Sequence, residues 1–161
     1  MDPQQGESEI AEWLARAQQN PAQAWREWSE GGVALLPLGS RFVASRLSEE
    51  LVHAAAGRSE PQPVAACLEQ LLDGPVIYDN RTMGGTYYPL MRCQSRTSWK
   101  YQHIAPLLAV GTYLGVPRLG RLRPPGTFWV VPPREVGDVC EPAAVGDLIT
   151  LACTTVRDAE R

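Results

Sequence analysis

Closely spaced cysteines and histidines are missing from this chain of 161 residues. The four cysteines form no CxxC pair and have no histidine nearby, so the sequence contains neither a zinc ligand set nor a redox dithiol. We expect reduced thiols that pack as small apolar side chains, and no metal site built from them. The four positions are Cys67, Cys93, Cys140 and Cys153.

The sequence also lacks an excess of positive charge and a long apolar run. Its net charge of −3 provides no basic field for nonspecific binding to nucleic acid or anionic lipid, so any contact with a polyanion has to be local. No apolar run has the length that crosses a bilayer, and the opening MDPQQGESE is acidic where a signal peptide is basic. We therefore expect a soluble, cytoplasmic protein without membrane contact.

Four familiar catalytic motifs are absent as well. There is no GxxxxGK[ST] phosphate loop, no GxGxxG after a strand, no GxSxG elbow and no HExxH pair. The sequence therefore gives no indication of the reaction classes for which these motifs are typical.

The segment from Gly74 to Pro133 carries the strongest structural signal that is present. Its four short apolar runs are rich in Val, Ile, Tyr, Phe and Trp, and each closes on turn-forming residues. The pattern predicts four antiparallel strands in two hairpins, the second of them closed by residues 118–126. Both faces of each run are apolar, so helices should cover at least one side. The runs are 75–79, 86–91, 111–117 and 127–133.

The flanking segments predict helices and one more strand pair, giving an α+β fold with a central, mostly antiparallel sheet flanked by helices. The chain divides into an N-terminal helix within residues 1–20, a single α+β domain over 21–153 and a flexible charged tail over 154–161. The additional strands, 33–38 and 41–46, should pair through a turn at Gly39 and Ser40. The predicted helices are 7–18, 21–31, 48–56, 63–72 and 142–152.

Two basic segments are candidate binding sites. Residues 96–103, RTSWKYQH, mix cations, aromatics and a histidine that could stack on a base and contact phosphate, although a surface loop with a packed tryptophan is the alternative. The loop 118–126 has three arginines suited to phosphate or carboxylate, or simply to hydrating the loop. The other histidine, His53, is expected to be structural. The candidates are Arg96, Trp99, Lys100, Tyr101, His103, Arg118, Arg121 and Arg123.

Four segments resemble the primase/polymerase domains of the archaeo-eukaryotic primase superfamily, in particular its compact actinobacterial forms. AWREWSEGGVALLPL (24–38) is similar to the family's opening helix and strand, and VGTYLGVPRLGRLRPPGTFWVVPP (110–133) to its Gly-x-Tyr strand and following hairpin. GPVIYDNRTMGGTYYPLM (74–91) resembles a degenerate form of the family's Thr-x-Ser-Gly-Gly-x-His segment, in which Thr82, Gly84 and Gly85 match the threonine and the two glycines. CEPAAVGDLI (140–149) matches the helix that follows.

The resemblance implies nucleotidyl transfer with Mg or Mn, which requires an Asp-x-Asp or Asp-x-Glu pair at a strand end. This chain has no such pair in its predicted sheet, since Asp79 is followed by Asn80 and Arg81. The family histidine falls near Tyr87, which carries no positive charge at neutral pH. No cofactor is therefore expected unless catalysis survives.

Three hypotheses follow. The first is a catalytically degenerate primase/polymerase-like domain that binds single-stranded DNA or a nucleotide as a regulatory module around DNA replication or a mobile element. The second is an active enzyme in which Asp79 acts with an unplaced acid such as Glu135 or Asp138. The third is an adaptor for a protein partner that uses the aromatics of the loop from Trp99 to Tyr101.

Overall fold

The computed structural model describes residues 3–81 and 84–160, except for the side chains of Pro3 and Arg96. The described part has an α+β fold with a mostly antiparallel sheet, which confirms the predicted class. Its helices are α1 (Pro3–Ala15), α2 (Pro21–Gly31), α3 (Glu49–Ala56), α4 (Pro61–Leu72) and α5 (Pro142–Ala159). Its strands are β1 (Val33–Pro37), β2 (Val43–Ser45), β3 (Leu47–Ser48), β4 (Val76–Asp79), β5 (Thr86–Met91), β6 (Leu107–Leu108), β7 (Tyr113–Pro117) and β8 (Thr127–Val131).

The helix ends follow local sequence signals. Pro21 occupies the first position of α2, where its missing N–H costs nothing, and Gly32 closes that helix in the left-handed region at φ 77°. The hydroxyl of Ser48 accepts a hydrogen bond from the N–H of Leu51 at 3.2 Å and so caps α3. Asp73 ends α4 at φ 49°. The starts of α2 and α3 and the ends of α2 and α4 were all predicted from these residues.

The central sheet has the strand order β6-β2-β5-β4-β8, and β3 also pairs with β5. The predicted β4–β5 hairpin is confirmed, with Val76 opposite Pro89 and Asp79 opposite Thr86. β8 pairs antiparallel with β4 on the other side, and its register shifts between Val76 and Ile77. The shift is a β-bulge at Val130, because Ile77 lies opposite Trp129 and Val76 opposite Val131.

Two predicted strand pairs are wrong. β7 does not form a hairpin with β8, and β1 does not pair with β2; instead β1 and β7 pair with each other as a separate two-stranded ribbon. The reason is burial, since the inward residues of both strands pack on the sheet around Trp129. The buried residues of the ribbon are Ala34, Leu36, Leu114 and Val116.

Both faces of the sheet are covered, consistent with the prediction that helices cover at least one. The first face, called the helical face below, packs against α3, α4 and α5 through residues such as Val76, Met91 and Val131. The opposite face packs against α1, α2 and the β1–β7 ribbon through Ile77 and Leu90. Adjacent strand residues therefore belong to different cores, as the alternation of a pleated strand requires.

The terminal helices differ from the prediction. α1 spans Pro3–Ala15 rather than 7–18, and α5 does not stop at Ala152. Residues 154–159, expected to be a flexible tail, continue α5, because no helix breaker occurs there and the hydroxyls of Thr154 and Thr155 bond to carbonyls four residues earlier. In the ranges 3–81 and 84–160, no helix combines the length and apolar character needed to span a bilayer.

Candidate functional site

A cleft of about 480 Å³ opens on the helical face, where the first turns of α3 and α4 meet the ends of β4 and β8. Tyr78 and Phe128 line its sheet side, and Pro61 lines its α4 side. Glu49 and His53, one turn apart on α3, add a carboxylate and an imidazole. Aromatic walls with a few convergent polar groups are the usual makeup of a small-molecule site.

Glu49 makes hydrogen bonds through its carboxylate and its backbone N–H at the edge of this cleft. Its Oε1 accepts a hydrogen bond from the hydroxyl of Tyr78 at 3.0 Å, and its Oε2 accepts one from the N–H of Gly85 at 3.3 Å. The N–H of Glu49 in turn donates to the carbonyl of Gly85 at 3.0 Å. These bonds fasten the end of the β4–β5 loop to the start of α3 and fix the carboxylate in place. His53 Nε2 lies 3.9 Å from Oε1.

Tyr78 and Tyr87 both stay protonated in this environment. Burial raises the pKa of Tyr78, and the hydrogen bond to Glu49 with the nearby carboxylate charges raises it further. Burial likewise raises the pKa of Tyr87, which packs edge-on against Tyr78 at a centroid distance of 4.8 Å. Tyr87, which was predicted to lie near the position of the resembled family's histidine, is a neutral core residue, only 6% exposed.

Arg123 provides positive charge at the mouth of the cleft. Its side chain is exposed and makes no hydrogen bond or ion pair with the described residues. Beside it, Asn80 accepts a hydrogen bond through Oδ1 from the N–H of Gly126 at 3.1 Å. Ser59 and Gln62, at the start of α4, add further donors to the same mouth. This end of the cleft is suited to an anionic group.

Asp79, the predicted strand-end acid, lies on the opposite face from the cleft. Strand alternation places it with Ile77 rather than with Tyr78. Arg81 holds both of its oxygens, with Nε 3.0 Å from Oδ1 and Nη2 3.0 Å from Oδ2. Burial alone would raise the pKa of Asp79, but the hydrogen bonds and charge of Arg81 outweigh it and lower that pKa below its usual value.

The acids suggested as partners for Asp79 lie far from it. Asp138 is buried and accepts hydrogen bonds from the backbone N–H and the Nε of Arg134 at 2.9 and 3.2 Å. Arg134 also pairs with Asp73 at 2.9 Å, just before β4 begins. Asp79 ends β4, so the strand separates the two groups by roughly 10 Å or more. Glu135, beside Arg134, belongs to the Asp138 side.

The three arginines of the 118–126 loop lie in two places, and Arg118 and Arg121 share one of them, since both side chains reach Gly32. Arg118 lines a groove between α1 and α2. Arg121 donates to the carbonyls of Gly31 and Pro125 at 3.4 and 3.3 Å, which ties the loop to the end of α2. Only Arg123 lines the cleft.

The two aromatic side chains of the segment 96–103 are used for packing. Trp99 is 6% exposed and its Nε1–H donates to the carbonyl of Ala105 at 2.7 Å, so it cannot stack on a base. Tyr101 packs on Trp99 at 5.2 Å and against Gly146 of α5. Lys100 and His103 are exposed. Of the two aromatics proposed for an adaptor surface, Trp99 is buried and Tyr101 is partly buried.

The remaining predicted residues belong to the β4–β5 loop. Thr82 lies outside the described residues, and so does the side chain of Arg96, whose backbone opens a short 3₁₀ turn. Gly84 adopts φ 78°, a conformation that favours glycine. Gly85 is needed for a different reason, because a Cβ there would collide with the hydroxyl of Tyr78.

Glu49, His53 and Tyr78 were missed as site residues. The sequence predicted Glu49 only as part of the helix 48–56, and Tyr78 only as part of the strand 75–79. The contacts that unite them join residues 29 and 36 positions apart, so no local motif signals them. The two glycines of the resembled family segment were the one sequence feature that pointed to this place.

Within residues 3–81 and 84–160, no group of three or more His, Cys, Asp or Glu side chains is placed to hold a metal ion. Comparisons with family models, with curated proteins and with solved structures found no match.

Proposed function

We propose that the protein is a nucleotide-binding module on a primase/polymerase-like scaffold that no longer carries out nucleotidyl transfer. The observation that carries this proposal is the pairing of Asp79 with Arg81, in which a guanidinium occupies both carboxylate oxygens. Nucleotidyl transfer uses clustered carboxylates to hold divalent ions beside a triphosphate. In this chain the negative charge of Asp79 is balanced by Arg81, and Asp138 forms an ion pair with Arg134.

The helical-face cleft supports a nucleotide as the ligand. Tyr78 and Phe128 provide flat apolar area for a base, and such stacking contributes roughly 1–3 kcal/mol per base. Arg123 provides a charge for phosphate without an ion pair to any described residue. A cleft with an aromatic interior and a cationic mouth is suited to a planar ring joined to an anion.

A primer-synthesis assay tests the loss of catalysis. Labelled deoxynucleotides are incubated with a single-stranded template and Mg²⁺ or Mn²⁺, using the natural chain and the variants Asp79→Ala and Arg81→Ala. We expect no extension product from any of them, including Arg81→Ala, because freeing one carboxylate does not create a cluster. A metal-dependent product from the natural chain that disappears in Asp79→Ala would overturn the proposal.

A further inference from the structure

The carboxylate of Glu49 has hydrogen-bonding capacity left over. A carboxylate offers about four lone-pair sites, and Tyr78 and Gly85 each use one, on different oxygens. His53 lies too far away, at 3.9 Å, to use another. About a third of the side chain, 34%, is exposed and it lines the cleft. The protein thus fixes the carboxylate while each oxygen can still accept one bond.

Two parallel acceptors match a ligand edge with two adjacent N–H donors. Guanine has such an edge, formed by N1–H and the exocyclic amine at C2. Adenine and cytosine place their amine beside an acceptor nitrogen, and uracil has a single N–H between two carbonyls. A fixed carboxylate therefore discriminates among the bases by the pattern of their donors.

Building on the nucleotide-binding function proposed above, we propose that the cleft is selective for a guanine nucleotide. Glu49 accepts from N1–H and the 2-amino group, the rings of Tyr78 and Phe128 pack against the base, and the phosphate lies at Arg123. The raised pKa of Tyr78 agrees with this arrangement, because a protonated phenol keeps donating to Glu49 and holds the carboxylate in position.

Ligand variation tests the inference without altering the protein. The full chain is titrated calorimetrically with GMP, IMP, AMP, CMP and UMP, without added metal. IMP differs from GMP only by the missing 2-amino group, so the pair isolates one of the two bonds to Glu49. We expect GMP to bind about tenfold or more tightly than IMP, AMP, CMP or UMP, as a bidentate contact implies.

Two variants and a matched control test the residues. Arg123→Ala should weaken GMP but leave the affinity for guanosine, which has no phosphate, unchanged. Arg118→Ala, an exposed arginine in a different groove, should bind GMP like the natural chain. Glu49→Gln should remove the preference of GMP over IMP, and a thermal melt of the same sample shows whether that variant is folded.

The outcomes separate the two proposals. If none of the five nucleotides binds, the nucleotide-binding function fails and the inference fails with it. If nucleotides bind but GMP and IMP bind equally, the inference is overturned while the binding function stands. GMP binding that Arg118→Ala weakens as much as Arg123→Ala would place the phosphate elsewhere and would also overturn the inference.

Discussion

Asp79 shows how one neighbouring residue changes the role of a strand-end acid. It was predicted as a candidate metal-binding acid, yet Arg81, two residues later, occupies both oxygens through its side chain and bonds to Oδ1 through its backbone N–H. The ion pair is partly exposed, since the Arg81 side chain is 59% exposed, so its contribution to stability is modest. The clearer effect of the ion pair is on the pKa of Asp79, which Arg81 lowers.

Arg81→Ala should raise the pKa of Asp79. Removing the guanidinium leaves the burial, which favours the neutral acid, and removes the side-chain bonds and the charge that favoured the carboxylate, while the bond from the backbone N–H of residue 81 remains. Carboxyl-detected NMR titration measures the shift. Arg92→Ala, which breaks an exposed pair with Glu141, is the control and should leave the pKa of Asp79 unchanged.

The same pair predicts the pH dependence of stability. The folded-state pKa of Asp79 is lowered, so the stability that this carboxylate contributes is fully present above its unfolded-state pKa of about 4. That stability is lost as the pH falls through the folded-state pKa. Arg81→Ala should therefore be less stable than the natural chain at neutral pH, and the difference should shrink in acid. A difference that grows on acidification would contradict this assignment.

Gly85→Ala should destabilise the protein by about 1–3 kcal/mol, because the added methyl group would collide with the Tyr78 hydroxyl that bonds to Glu49. Urea unfolding measures the change. Gly6→Ala in α1 is the control, since nothing lies within 4 Å of the new methyl group and alanine favours helix by up to about 1 kcal/mol. Equal effects of the two substitutions would show that Gly85 is not packed against Tyr78.

At the scale of elements, the sequence predicts where helices begin and end better than which strands pair. Pro21, Gly32 and Ser48 act on the backbone within a few residues, so their signals are local and were interpreted correctly. The partner of β1 is β7, whose residues lie about 80 positions later, and that choice depends on which surfaces bury Trp129. The apolar runs of the strands have similar compositions, so the sequence does not specify which strand pairs with β1.

The candidate site was predictable only in part for the same reason. Gly84 and Gly85 were singled out through the resembled family segment, and Gly85 contacts Glu49 and Tyr78 of the candidate cleft. The cleft itself depends on α3, α4, β4 and β8 meeting, and the contact from Glu49 to Tyr78 exists only after that assembly. The arginine loop was predicted as one basic cluster, but only Arg123 lines the cleft, whereas the side chains of Arg118 and Arg121 reach Gly32 at the end of α2.

Arg121→Ala should destabilise the protein by about 1 kcal/mol, whereas Arg123→Ala should change stability by less than about 0.5 kcal/mol. Arg121 donates to carbonyls at the end of α2 and in its own loop, and a cation is favourable at a helix C-terminus. Arg123 has no such bond to the described residues. Urea unfolding compares the two, and a larger effect from Arg123 would reverse the assigned roles.

At the scale of the whole molecule, charge bears on whether the ligand is a nucleotide or a strand of DNA. The chain has a net charge of −3, and its loop arginines are divided, with Arg118 and Arg121 at Gly32 and Arg123 at the cleft. Arg121 is bonded to backbone carbonyls, and Trp99 is buried. Proteins that bind single strands combine a basic track with exposed aromatics, and the two segments predicted for that role do not form one.

We therefore expect single-stranded DNA to bind weakly and with little dependence on salt. Each phosphate contact on a single strand contributes a slope of about −0.7 in a plot of log K against log salt concentration. A single contact through Arg123 therefore predicts a slope of about −0.7. Fluorescence anisotropy of a labelled oligothymidylate, measured from low to physiological salt, gives the slope. Arg123→Ala should abolish it, while Arg118→Ala should not. A slope equivalent to several phosphates that survives Arg123→Ala would mean that a basic surface away from the cleft binds DNA, and nucleic acid would then replace the free nucleotide as the ligand.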